Sequence, residues 1–357
     1  MAMGKSSEAK GHRTVGLDLG DRQSRVCELE TASGQVVAAY SVTTSAAGLA
    51  KRFAGRPAMR IALEIGTHSP WVSRLLREWG HEVLVANAYR LQLIFASQQK
   101  SDAVDAESLA RLARFDPGLL RPIHHRGAKA QADLALLRAR QVAVRCRTRL
   151  INHLRGSVKS FGGRLPAAGA EAFLSKAAPA LPELLRHALA PLLEVIAQLG
   201  ETIRGYDQAV EALAAKQYPE TQRLRQVTGV GSLTSLAFVL TLEEPGRFAK
   251  SRAVGAYLGL APGSRSSGQS QPQRPITKQG DRFLRCLLVQ SAHYILGPFG
   301  KDCDLRRKGE QLAQRGGKNA KKRAVVAVAR KLAVLLHRLW ASGRPYVPLR
   351  PAPVATT

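Results

Sequence analysis

Through the first 115 or so residues, apolar positions recur mostly with the short period of strands, interrupted by segments with the longer period of helices. The run TVGLDLG (14–20) alternates in polarity. SRVCELE and GQVVAAYSV follow it after turn signals at Gly20-Asp21 and Ser33-Gly34, which predicts an antiparallel meander. A helix over AAGLAKRFA, a strand over MRIALEIG, a helix over SPWVSRLLREWG, a strand over HEVLVA and a helix over DAVDAESLARLAR complete this region. In SPWVSRLLREWG the helical repeat runs through Trp71, Leu75 and Trp79, with Ser69 placed as N-cap and Pro70 at the first helical position.

From about Lys129 to Tyr218 the strand signals vanish. Residues 129–162 read as one long helix with an apolar stripe through Leu134, Leu137, Val144 and Leu154 and arginines over much of the rest. Pro166, Pro179, Pro182 and Pro191 then punctuate shorter helices before PLLEVIAQLGETIRGYDQAVEAL resumes a longer one. Two long helices of this kind suit a coiled-coil arm or dimer contact, and a helical hairpin within one chain suits them equally. The last third starts with LRQVTGVGSLTSLAFVLTL (224–242) and ends in the very basic helix NAKKRAVVAVARKLAVLLHRLWASG, followed by a Pro-rich tail.

Three strands, then helix, strand, helix, strand, helix, is the order of a ribonuclease-H-like α/β fold. The expected organisation is a flexible basic N-terminus (1–13), that α/β domain (14–125), a helical coiled-coil linker (126–222), a mainly helical C-terminal domain (223–345) and the tail (346–357). The fold class is therefore α/β plus all-α.

Charge changes the picture most. Lys and Arg total 54 against 26 Asp and Glu, a net charge of +28. Such an excess repels itself in the compact state, and a polyanion offsets it; the phosphate backbone is the commonest one. The positive charge is spread over most of the chain, so a merely basic tail does not account for it. Cys27, Cys146, Cys286 and Cys303 form no C-x-x-C pair, which argues against a zinc ribbon or disulfide framework and fits a reducing compartment. No apolar leader and no run of membrane-spanning length occurs, so the chain reads as soluble and cytoplasmic, without a membrane partner.

Four acids stand out against this background. Asp18 interrupts an apolar strand in which Val15, Leu17 and Leu19 share one face, so it shares the other with Gly16 and Gly20. Glu64 repeats the arrangement among Ile61, Leu63 and Ile65. A carboxylate in such a strand is costly unless paired or bound to a cation. Asp102 and Asp105 lie one turn apart on the face that Leu109 and Leu112 continue. Alone, those two read as first-turn helix acids. Asp18 alone also suits a kinase-like phosphate loop, but no second glycine-rich loop accompanies it. Together the four read as an all-oxygen site for Mg²⁺ or Mn²⁺, the kind that serves phosphoryl transfer.

Two polar loops lie downstream. Gly229-Val230-Gly231 sits between helical segments and is similar to a helix-hairpin-helix turn, whose backbone N–H groups meet a phosphate; an ordinary helix–helix turn is a competing reading. The loop in AVGAYLGLAPGSRSSGQSQPQRPITKQGDRFLRCLL carries Ser264, Ser266 and Ser267, with Lys278, Arg282 and Arg285 after it. A serine needs a base, a metal or cations to act as a nucleophile, and no histidine is close in sequence.

Asp18 in GLDLGD, Glu64 in ALEIGTHS and Asp102 and Asp105 in KSDAVDAESLA resemble the DEDD signature of transposases of the insertion-sequence family numbered one hundred and ten, which carry a RuvC-like domain. TGVGSLTS, AYLGLAPGSRSSG and ITKQGDRFLRCLL resemble that family's C-terminal transposase domain, in matching order, so the likeness spans roughly residues 14–345. The resemblance implies a recombinase guided by a structured bridge RNA that pairs with donor and target DNA. It implies a serine that forms a covalent phosphoserine link, placed at Ser267 because the family's serine precedes a glycine, with Ser266 adjacent. It implies a metal site at the four acids, a composite site between subunits, an arm that exchanges partners, and dimers pairing into a tetramer. Arg145, Arg147 and Arg149 on the first long helix and Lys321, Lys322 and Arg323 on the last then become backbone contacts to RNA and DNA. Aromatics are only 5% of residues, so base stacking is not the main grip.

The function expected is RNA-guided DNA strand exchange. A metal-dependent junction nuclease using water, and a non-catalytic nucleic-acid scaffold, are the alternatives. The first would give cut ends without a protein adduct, and the second binding that survives loss of Asp18.

Overall fold

The computed structural model describes residues 13–87, 102–263 and 274–349, and divides the chain into two compact units, 1–128 and 129–357. The first unit is built on one five-stranded sheet: β1 (Arg13–Asp18), β2 (Gln23–Glu30), β3 (Val36–Thr43), β4 (Arg60–Glu64) and β5 (Glu82–Ala86), in the order β3-β2-β1-β4-β5. The expected meander is present, since β1 pairs antiparallel with β2 and β2 with β3, while β1–β4 and β4–β5 are parallel. The helices are α1 (Ala46–Phe53), α2 (Ser69–Glu78) and α3 (Asp102–Phe115).

The two faces of the sheet differ as the alternation predicts. Val15, Leu17, Ile61 and Leu63 pack with Leu49, Phe53, Val72 and Leu76 of α1 and α2. On the opposite face Ala62 meets Leu109 and Ala113 of α3. Gly16 is the tight point of this second layer: a Cβ there would lie 1.8 Å from the Ala106 carbonyl oxygen, so only glycine admits the helix at this depth.

Ser69 departs from expectation. It is the first residue of α2, with His68 in the cap position and no side-chain cap bond. The Ser69 hydroxyl turns back instead, accepting from the Gly66 N–H (3.0 Å) and donating to the Gly66 carbonyl (2.8 Å).

The second unit is helical: α4 (Ala128–Ser160), α5 (Phe173–Ala177), α6 (Glu183–Gln217), α7 (Glu220–Leu224), α8 (Ser232–Leu242), α9 (Arg252–Tyr257), α10 (Arg282–Leu296), α11 (Asp304–Gln314) and α12 (Ala320–Ser342). α4 and α6 form an antiparallel pair: Arg140 bonds Asp207 at 2.5 Å, Lys129 bonds Gln217 at 2.5 Å, and Ile151 and Leu154 pack with Ile196. Leu134 and Leu137 enter the same core as α8, α10 and α12, so the base of this hairpin is continuous with the C-terminal helices. Pro191 does not start a helix as expected. It lies inside α6, where packing outweighs the hydrogen bond its missing N–H forfeits. At the centre of the unit, every residue of α8 from Thr234 to Leu242 is buried. All four cysteines are free thiols.

Candidate active site and nucleic-acid interface

Asp18 and Glu64 end two adjacent parallel strands, one residue beyond the paired Leu17 and Leu63. They belong to the face covered by α3, whose first turn carries Asp102 and Asp105. Glycine at position 16 sets the helix down, and the helix carries its two aspartates to the strand ends. The result is a concentration of negative charge. Burial first, then Asp102, Asp105 and Glu64, push the Asp18 carboxyl up to about 6.

Among the described residues no three His, Cys, Asp or Glu side chains converge to metal-ligating distance. The donor chemistry nevertheless fits a hard divalent cation: all four groups are carboxylates, and their shared charge favours a cation.

The loops that follow the two strands are tied together and buttressed by residues to which pattern reading gave no part in the site. His68 Nε2 lies 3.3 Å from Asp21, and its Nδ1 accepts from the Trp71 indole at 3.0 Å. Ser69, which is fully buried, holds the turn after Glu64 and meets His125 Nε2 at 2.8 Å. Burial, then Arg77, Arg74, Arg126 and His124, push His125 down to about 4, so it is neutral at pH 7. The polar run Thr67-His68-Ser69 just after Glu64 was a usable signal. Nothing local marks His125.

Ser264, Ser266 and Ser267 lie outside the described residues. The base of their loop is described. The Gly263 N–H donates to Pro275 O (3.0 Å), Thr277 N–H to Ala261 O (2.9 Å) and Lys278 N–H to Gly259 O (3.1 Å), making a short antiparallel stem. Gly259 and Gly280 both have positive φ, and a Cβ at either would lie 2.1 Å from a carbonyl oxygen of the facing segment. Arg285, one of the three cations that follow the serine loop, is turned inward: it donates to the carbonyls of Leu258 (3.0 Å) and Gln279 (2.9 Å), pinning both sides of this stem. Arg282 is exposed at the start of α10, and Lys278 is exposed in the stem with φ 57°.

Gly229 takes the left-handed conformation (φ 83°) and Gly231 caps α8, which gives the turn its bend. Beside it, Glu211 accepts from Arg225 and from the Ser232 hydroxyl, so a carboxylate of the chain itself faces this helix start. Arg145 and Arg149 are exposed on α4, whereas Arg147 is a correction to the expected row: it is buried and paired with Glu171 at 2.8 Å. Lys321, Lys322 and Arg323 are exposed on α12. Lys322 and Arg323 line a groove of about 1670 Å³ that Lys321 does not reach.

Two transposase models match the chain, a DEDD transposase model over residues 15–162 and the transposase IS116/IS110/IS902 family over residues 221–299. The transposase for insertion sequence element IS1111A of Coxiella burnetii is 30% identical over 253 residues, 69% of this chain and 68% of that protein. The chain belongs to the IS110 family of transposases. Another relative, the transposase for insertion sequence element IS1328 of Yersinia enterocolitica, is 28% identical over 247 residues, 67% of this chain and 72% of that protein. The DEDD match spans all four acids described above, and the second match spans the Gly229 turn, the stem and α10. A DEDD domain points to dependence on a divalent metal, and a transposase acts on DNA. No helix among the described residues is long and apolar enough to cross a membrane.

Proposed function

We propose that this transposase exchanges DNA strands under the direction of a structured guide RNA, through a phosphoserine link at Ser267 and a divalent-metal site at Asp18, Glu64, Asp102 and Asp105. The observation that carries the reading is the state of Asp18: a strand-end carboxyl raised to about 6 by burial and by three further acids. Like charge gathered around a half-buried carboxyl is a cost in a purely structural site and an advantage in one built for a cation. The sheet order β3-β2-β1-β4-β5, with α3 across its β1 and β4 strands, supports a ribonuclease-H-like domain of the RuvC type.

A bound Mg²⁺ or Mn²⁺ supplies charge neutralisation at the scissile phosphate. The acids hold it, and Gly16, Ser69 and the Asp21–His68 contact hold the acids in place. The Ser267 Oγ–phosphorus bond forms as a phosphorus–oxygen bond of the strand breaks, and the serine proton passes to the departing oxygen. A strand-end hydroxyl of the exchanged partner then reverses the step, so no hydrolysis intervenes. Lys278 and Arg282, exposed beside the stem, counter the charge that develops. Arg285 acts through the stem. The assembly we propose, a dimer pairing into a tetramer, rests on the family resemblance.

The test is strand exchange with full-length protein, element-end DNA, target DNA and RNA transcribed from the element's flanks. Asp18→Asn and Ser267→Ala should each lower exchange by on the order of a thousandfold or more. Omitting the RNA should abolish it. Wild-type rates in Ser267→Ala, or exchange unchanged without RNA, would overturn the reading.

A further inference from the structure

The groove of the second unit has a volume of about 1670 Å³, beyond the roughly 300–1,000 Å³ typical of small-molecule pockets. Among the described residues ten of those lining it are lysine or arginine, and Asp304 is the only acid. Its lining also carries the apolar side chains of Leu260, Ile276, Val326 and Leu335. One wall is α12, where Lys322, Arg323, Arg330, Lys331 and Arg338 fall two turns apart on one face. Opposing charge this concentrated is complementary to a polymer of phosphates. Tyr346 is the one aromatic among the described residues of the lining, so stacking is not what they offer.

We propose that this groove is a track for the phosphodiester backbone of a DNA strand, held along α12 and led past the stem of the serine loop. From Arg323 to Arg338 the helix rises about 22 Å, which at about 3.4 Å per nucleotide corresponds to six or seven phosphates. The stem forms part of the lining through Pro262, Arg274, Ile276 and Lys278, so a strand in the groove passes the stem that carries the serine loop. That juxtaposition selects DNA over guide RNA, and it rests on the proposed role of Ser267. Lys321 lies on the same helix but outside the lining, which makes the assignment specific to one face.

The test measures binding of the full-length, nucleic-acid-free protein to labelled DNA and to RNA of equal length, by fluorescence anisotropy across a series of KCl concentrations. The groove variant combines Lys322→Gln, Arg323→Gln, Arg330→Gln and Arg338→Gln. A charge-matched control combines Lys51→Gln, Lys176→Gln, Lys216→Gln and Lys301→Gln, all exposed positions outside the groove. The groove variant should lose DNA affinity on the order of a hundredfold near 0.1 M salt and flatten the log–log salt slope by about 3; the control should change both far less. If thermal melts show that the quadruple variant is unfolded, Arg330→Gln and Arg338→Gln alone should each flatten the slope by about 0.7 to 0.9. Equal losses in groove and control variants, or loss of RNA binding with DNA binding kept, would overturn the proposal. The serine reading fails separately: wild-type protein that binds DNA through the groove yet never forms a covalent adduct would sink that reading and leave the groove standing.

Discussion

Glu28 and Asp18 are both acids set in apolar strands, and they have opposite surroundings. Burial pushes Glu28 up, but hydrogen bonds from Arg56 (2.7 Å) and Tyr40 (2.6 Å) and the nearby charge of Arg13 more than offset it, leaving its pKa lowered. Glu28 is a satisfied structural acid. Asp18 is raised to about 6, with like charges around it. In metal-free protein the folded state therefore keeps a proton on Asp18 that the unfolded chain releases near pH 4. Its contribution to stability falls as pH rises from about 4 to 6 and is least above that window. Asp18→Asn should accordingly raise the thermal midpoint of metal-free protein at pH 7.5 and leave it unchanged at pH 3.5. Added Mg²⁺ should raise the wild-type midpoint more at pH 7.5 than at pH 5, because protons compete for the site. His125 has the reverse sign. Its folded value is about 4, so its contribution is present above the ordinary histidine value near 6.5 and is lost as pH falls toward 4. Ser69→Ala removes the hydroxyl that spans Gly66 and His125 and should cost about 1–3 kcal/mol in denaturant unfolding at pH 7.

At the level of elements, the approach of α3 to β1 matters most for the acidic site. Gly16→Ala forces a Cβ against the Ala106 backbone, and the helix must shift. We expect a loss of about 1–3 kcal/mol or more, with metal-dependent stabilisation lost as Asp102 and Asp105 move off Asp18. DNA affinity of the second unit should be unaffected, as anisotropy would show. The acids, the strand alternation and the sheet's element order were legible in the sequence because a two-residue period and a charge within it are local signals. The close approach at Gly16 was not, since it depends on which residue of α3 lands there. The same limit hid the inward use of Arg147 and Arg285. An arginine's pattern along a helix shows its face but not whether Glu171 or a pair of carbonyls waits for it. Proline in a helical pattern normally ends the helix, yet α6 runs through Pro191 because tertiary packing holds both sides.

For the whole molecule, the net charge of +28 was the plainest signal of a polyanionic partner, and the groove shows where part of that charge is gathered. Composition gave the partner's class but not the surface, because lysines and arginines from five separate segments meet only once the second unit folds. Two separable losses are therefore expected. Groove substitutions should weaken DNA binding with a flatter salt dependence, and acid substitutions should stop the chemistry while binding persists. The most direct test of the central claim is a denaturing gel of full-length protein reacted with its element DNA and flanking RNA, comparing wild type, Ser267→Ala, Ser266→Ala and Asp18→Asn. A protein–DNA adduct is expected in wild type and Ser266→Ala and should be absent from Ser267→Ala and from Asp18→Asn. Cut DNA with no adduct in any lane would contradict it and leave a carboxylate nuclease that uses water.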